Sequence, residues 1–297
     1  MGSRKRLLTR RTVLTGAAAT GVAALAGCTG SEGEATATDD ETTATEGSPD
    51  GGTATEESTY ATEGDLTVDA SWEGEEASAS GTVTVAADTE VTAFVEAGAG
   101  VVVESGAVVE GSVRSLGAVE VREGATVTGD VEGTAVTLGD ATTVEGAISA
   151  NGDLTVGADA TVAGQVSASG ALTAADGASF RSFVGATGAV ELGEGVTVER
   201  TVSGGSDVTV GAESTVGGGL VTGAFTTGAN VTVTGDVEAA SIELGEGNEV
   251  EGSLSADGAV VVGADSTVAG DATGETVELG SEATVEGEVS ETGGDDA

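Results

Sequence analysis

The stretch AVEVREGATVTGDVEGT, residues 118–134, decides the fold. In it Val119 and Val121, Ala125 and Val127, and Val131 and Gly133 are pairs spaced by two. Side chains two apart lie on one face of a strand, so the stretch reads as three short strands and three corners. The same reading repeats on both sides at a period of 17 or 18, with turns starting at 82, 100, 118, 135, 153, 171, 189, 207, 224, 241, 259 and 276. The second residue of each turn is apolar from Val83 to Val277, and the tenth from Val91 to Val285. The fourth and fourteenth columns behave alike, Thr227 being the one polar residue, so 47 of 48 column positions are apolar. The eighth and sixteenth columns hold mainly small residues, such as Ala107, Ala125 and Ala160, or Gly133, Ala150 and Ala168.

This pattern predicts an all-β fold: a single-stranded parallel β-helix, a solenoid of triangular section with about twelve turns of 17–18 residues. A helix is excluded by the period of two and the abundant glycine. A meander sandwich also has evenly spaced short strands, but nothing in it holds four columns in register over twelve repeats. With turns about 4.8 Å apart, the rod is roughly 55 Å long. A glycine column, Gly111, Gly129, Gly146, Gly164, then Gly218, Gly235, Gly252, Gly270 and Gly287, punctuates one corner, where a bend with positive φ is expected. Handedness does not follow from the pattern. Six-residue subperiods suit left-handed hexapeptide helices, yet the shorter of the two turn lengths breaks a strict hexad.

Positions 1–28 read as an address and an anchor. A basic head with Arg10 and Arg11 precedes the apolar run VLTGAAATGVAALAG and Cys28, the order of a secretory signal. The adjacent arginines resemble a twin-arginine export signal, and LAGC at 25–28 resembles a lipobox, which makes Cys28 the lipid-attachment residue. The chain divides into a signal at 1–27, a disordered Thr/Glu-rich tether at 28–63, an N-terminal cap at 64–81, the β-helix at 82–289 and an acidic tail at 290–297. The expected location is the outer face of the cell membrane, held by lipid.

Charge and composition bound the chemistry. Cleavage before Cys28 leaves four arginines against all the Asp and Glu, a net charge of −47 from 28 to 297, which repels nucleic acid and anionic headgroups. Calcium-binding repeats and EF-hand loops are missing, so the charge reads as halophilic, an adaptation to molar salt. There is no histidine, one cysteine and no lysine beyond Lys5. A histidine base, a disulfide framework, a P-loop lysine and a Schiff base are thereby excluded. No enzyme activity, cofactor or metal is expected. Arg181 and Arg200 interrupt the acidic wall, and an ion pair between Arg181 and Glu199 of the next turn is the expected arrangement. Phe94, Phe183, Trp72 and Tyr60 are the aromatics free to lie outside, with Trp72 expected to plug the first turn. Asn230-Val231-Thr232 is an N-glycosylation triplet at a corner. The last turn keeps Val277, Leu279, Val285 and Val289 in its four columns with no plug after it, which marks an end-to-end contact and a homo-oligomer or filament.

The runs GATVTGDVEG, GADATVAGQV and GDVEAASIELGEGNEVEGSL resemble the bactofilins, polymer-forming cytoskeletal β-helix proteins, over roughly 82–289. Archaeal relatives of the halofilin type are similar. The resemblance implies a right-handed helix, end-to-end nonpolar filaments formed without nucleotide, and a scaffold role in cell shape or envelope organisation. A typical bactofilin is cytosolic, whereas this chain carries an export signal and a lipid-attachment cysteine. A carbohydrate-binding or carbohydrate-active surface β-helix, or a passive surface spacer, is the alternative.

Overall fold

The computed structural model describes residues 61–293 apart from 73 and 75. The signal, the tether, Arg10, Arg11, Cys28 and Tyr60 lie outside the described residues. The described chain is all-β: thirty-six short strands, all paired in parallel, stacked as a solenoid of about twelve turns. In the turn that starts at 118 the strands are Ala118–Val121, Thr126–Val127 and Val131–Gly133. Each pairs with the equivalent strand one turn before and one turn after, as in Val109, Val127 and Val144. The second and tenth columns are buried from Val83 to Val260 and from Val91 to Val268, the core anticipated from the sequence.

The middle strands of all turns form one twelve-stranded sheet, and the other two faces join into a 24-stranded sheet. They join because Leu220–Thr227 and Val237–Glu243 run unbroken through the third corner. The step in sequence is 18 from Val202 to its partner Leu220, but 17 from Val208 to its partner Phe225. The residue missing from a short turn is therefore taken from the third corner, and the inward columns stay in register.

The glycine column does not adopt positive φ, contrary to expectation. The left-handed residues are in the seventh column, in all twelve turns: Asp88, Ala141, Asp159, Glu213, Asn230, Asp265 and Glu282, with glycine in the other five. Their φ values lie between 53° and 70°. This conformation turns the N–H along the rod axis, so that Ala141 donates to Ala158 O at 2.8 Å and Asn230 to Glu246 O at 2.9 Å, in the following turn. The column expected to bend is glycine for a different reason. A Cβ on Gly129 would stand 2.6 Å from the carbonyl oxygen of Gly111 in the turn below. Stacked backbones approach too closely there for a side chain. The other corners carry similar columns, represented by Gly157 and Gly188, which the repeat pattern alone does not single out.

The eighth column is small but not uniformly apolar. Thr89, Thr142, Ser214, Asn248 and Ser266 are buried in it. Buried polar atoms need partners. Thr89 and Thr142 find theirs on carbonyls of their own turn, whereas Ser214, Asn248 and Ser266 link turns. Asn248 accepts from Val231 N at 2.6 Å and donates to Thr227 Oγ1 at 2.6 Å. Ser266 Oγ accepts from Asn248 N and donates to Gly245 O, both at 3.0 Å. Thr227, the one polar residue of the fourth column, thus belongs to a closed network.

Residues 64–81 are themselves built as an incomplete turn. Leu66–Val68 pairs with Thr82–Val85, and Ala77–Ala79 with Val95–Ala97. The middle strand is replaced by a turn in which Asp69 Oδ1 accepts from Ser71 N at 2.9 Å, and Trp72 packs against the core. The Ser71 hydroxyl and then its N–H hold the Asp69 carboxyl below its ordinary value of 3.8.

Val162 is fully buried, so Val162→Asp should cost about 3 kcal/mol or more, read as melting in molar salt. Asp130 Oδ1 only accepts, from Ala147 N at 2.8 Å, so Asp130→Asn should stay within about 0.5 kcal/mol of wild type. Equal melting of the two variants would contradict the register. Ala141→Gly removes a strained φ of 53° and should stabilise by about 1 kcal/mol. Asp69 contributes stability above its unfolded pKa that is lost as pH falls through the lowered one. The emission of Trp72, the sole tryptophan, should therefore shift to the red in that acid range, and Asp69→Asn should remove that part of the shift.

Candidate functional site

Two places on the solenoid depart from the repeat. The first is its C-terminal end. Val260, Val262, Val268 and Ala272 are fully buried in the four columns of the penultimate turn. One turn later Leu279 is 46% and Val289 44% exposed, and Val277 and Val285 are half-buried against the core. The strands Thr276–Leu279, Thr284–Val285 and Val289–Glu291 pair on one side only. The four residues singled out in the sequence are thus brought together as an apolar patch inside an open backbone edge.

That edge is only partly satisfied. Glu291 Oε1 accepts from Val277 N at 3.1 Å, replacing a carbonyl that a further turn would supply. Glu282 repeats the left-handed corner, φ 60°, and no following turn among the described residues offers its N–H a carbonyl. The N-terminal end differs. Val68, Ala77 and Ala79 are fully buried, and Thr62 bridges to Ala79. Nothing in the sequence marks Glu291 as a backbone acceptor, because its role depends on the absence of a neighbour.

The second place is the corner between the second and third faces at turns 171 and 189. Here the glycine column is interrupted by Ser182 and Arg200. An open cleft of about 570 Å³ lies over it, lined by Arg181, Phe183, Glu199, Arg200, Gly217 and Gly218 among others. The expected Arg181–Glu199 ion pair is not formed. Among the described residues ion pairs join Arg114 to Glu132 at 2.9 Å, and Arg122 to Glu104 at 2.6 Å and Glu120 at 2.9 Å. The hydrogen bonds to Glu120 and then to Glu104 raise the pKa of the Arg122 guanidinium. Arg181 and Glu199 both line the cleft and are exposed.

Asn230 is exposed at its corner with φ 57°. Val231 is buried and Thr232 half-buried on the middle face. Phe94 is 38% exposed, Phe183 is half-buried in the cleft, and Phe180 and Phe225 fill the core. Compared with protein-family models, curated proteins and solved structures, the chain matches none of them.

Proposed function

We propose that this chain is a non-enzymatic structural protein, bactofilin-like, exported and lipid-anchored through Cys28, whose solenoid associates with a second copy through its C-terminal end. The observation that carries the reading is the exposure of Leu279 and Val289 within a one-sided strand edge, against complete burial of the same columns one turn earlier. Soluble proteins avoid bare edges by covering them or by pairing them with another chain. A second copy offers the complementary surface by itself, since two such ends meet about a two-fold axis with their strands antiparallel. The closed N-terminal end favours this tail-to-tail pair over a head-to-tail filament.

Charge opposes the pair, and salt decides the balance. Each chain carries −47 from the lipid-attachment site onward, so two ends repel strongly in dilute buffer. The screening length falls from about 10 Å at 0.1 M to about 3 Å at 1 M ionic strength. Contact within the edge then outweighs long-range repulsion. Twin arginines, the apolar run and LAGC support export and anchoring, and two acyl chains are required for firm retention. A scaffold held at the membrane by a long acidic tether would present its rod to the cell surface and organise the envelope there.

Light scattering across a salt series tests association. A dimer or larger species is expected at molar salt, with separation or unfolding near 0.1 M. Val289→Lys or Val285→Lys should abolish association while the other turns remain folded, because each turn contacts only its neighbours. A monodisperse monomer wherever the fold survives would leave a passive spacer. Cys28→Ala should release the protein into the medium or block its processing, and unchanged membrane retention would remove the lipid anchor.

A further inference from the structure

We propose that the cleft at Arg181 and Arg200 binds an acidic glycan, a chain of uronic acids, with a carboxylate on the guanidiniums and a sugar ring against Phe183. Four arginines lie among the described residues, and they are used in two ways. Arg114 and Arg122 are held by carboxylates of their own or adjacent turns. Arg181 and Arg200 form no ion pair with any described residue, although most of the surface around them is acidic. They stand in successive turns, about 4.8 Å apart along the rod. They also stand one column apart, since the pairing of Phe180 with Val198 puts Arg181 in register with Glu199 and Arg200 with Ser182. That spacing lets both guanidiniums address one carboxylate, for which their fixed fork of donors is matched.

The surroundings are shaped for a flat, partly apolar ligand. The Phe183 ring lies over Gly185, and a Cβ there would stand 2.6 Å from the ring. Gly185 is buried although its column faces outward, because the Phe183 ring covers it. One turn beyond Arg200, Gly217, Gly218 and Gly219 follow one another without a side chain, and the first two leave the upper wall of the cleft as bare backbone. Two independent departures from the repeat therefore meet at one corner: an arginine replaces the column glycine, and three consecutive glycines clear the space above it. The fold requires neither, because eight other turns keep a lone glycine there.

Glu199 selects among anions. Beside two guanidiniums it leaves one net positive charge and supplies an acceptor for hydroxyl groups. A uronic acid brings a carboxylate, hydroxyl donors and an apolar ring face together. A nucleic acid brings a negative charge about every 1.7 Å of duplex, which the acidic wall on either side would repel. An acidic peptide has the carboxylate but no flat ring face for Phe183. The cleft is open along the corner, so it accommodates an internal stretch of a polymer as well as its end.

The test is titration calorimetry of the purified chain with trigalacturonate in molar potassium chloride, with maltotriose as the uncharged control and a single-stranded oligonucleotide as the polyanion control. The expected result is a dissociation constant of about 1 mM or tighter for trigalacturonate, with maltotriose at least about tenfold weaker. The R181Q/R200G variant should bind at least about tenfold more weakly than wild type, and F183A should weaken binding of the trisaccharide severalfold. R200G restores the residue that its column carries elsewhere, so its melting should match wild type and a loss of binding reads as loss of the guanidinium. Absence of trigalacturonate binding up to its solubility, equal binding of maltotriose, tighter binding of the oligonucleotide, or undiminished binding by R181Q/R200G would each overturn the proposal. Association is read separately by light scattering on the same samples, so failure of the glycan site and failure of end pairing are distinguishable.

Discussion

Every turn of this solenoid depends on the next for its backbone hydrogen bonds. The seventh column shows the constraint most plainly. Its residue is left-handed in each of twelve turns, even where it is Ala141, Glu213 or Glu282. Outside glycine this conformation costs about 1–2 kcal/mol. It persists because it aims the corner N–H at a carbonyl one turn on, as from Asp159 to Asp176 at 3.0 Å and from Asp265 to Ser281 at 3.0 Å. The glycine columns serve the same end by letting the corners stack without side chains between them. A turn without a successor therefore loses more than an apolar cover. It also loses partners for donors that the fold has already oriented outward, which is why the two ends of the rod matter more than its sides.

The acidic surface has a place in this scheme beyond solubility. Asp65, Asp130, Asp140, Asp153, Asp176, Asp236 and Asp271 each accept a backbone N–H from the turn that follows. These carboxylates stand at corners, where the ladder of carbonyls is interrupted, and they carry the stacking through. A charge that would otherwise drive neighbouring turns apart is thus partly tied into the contact between them. Molar salt screens the remaining repulsion within a rod.

The inward columns are legible in the sequence because burial imposes one requirement, apolar side chains at a period of two, and Val is nearly constant there. The corners are less legible. A glycine can mark positive φ or close approach, and sequence alone does not separate these. Here Gly129 marks close approach, whereas the residues with positive φ are mostly Asp, Asn, Glu and Ala. The eighth column hides a polar network because Ser and Thr are nearly as small as the alanines beside them. The cap reads as decay of the repeat, since one strand of three is replaced by the Asp69–Trp72 turn, although Leu66 and Ala77 keep their register. At the end of the rod, Val277, Leu279, Val285 and Val289 are identifiable from their columns, while Glu291 is not. The cleft is visible only as two arginines out of place. Its volume depends on Gly217 and Gly218, which look ordinary in a glycine-rich chain.

Amide hydrogen exchange resolved along the rod, in dilute and in molar salt, tests most directly whether the open end is completed by another copy. Protection in the central turns should be high in both conditions, because each central turn has two neighbours. Within residues 276–291, the amides whose acceptor would lie in a further turn, Glu282 and Val289 above all, should exchange quickly in the separated chain and become protected when molar salt is added. Thr284 and Glu286, by contrast, already donate to Ser266 O and Val268 O. Exchange of that turn which stays equally fast in molar salt, while the central turns remain protected, would contradict end pairing and leave each rod standing alone.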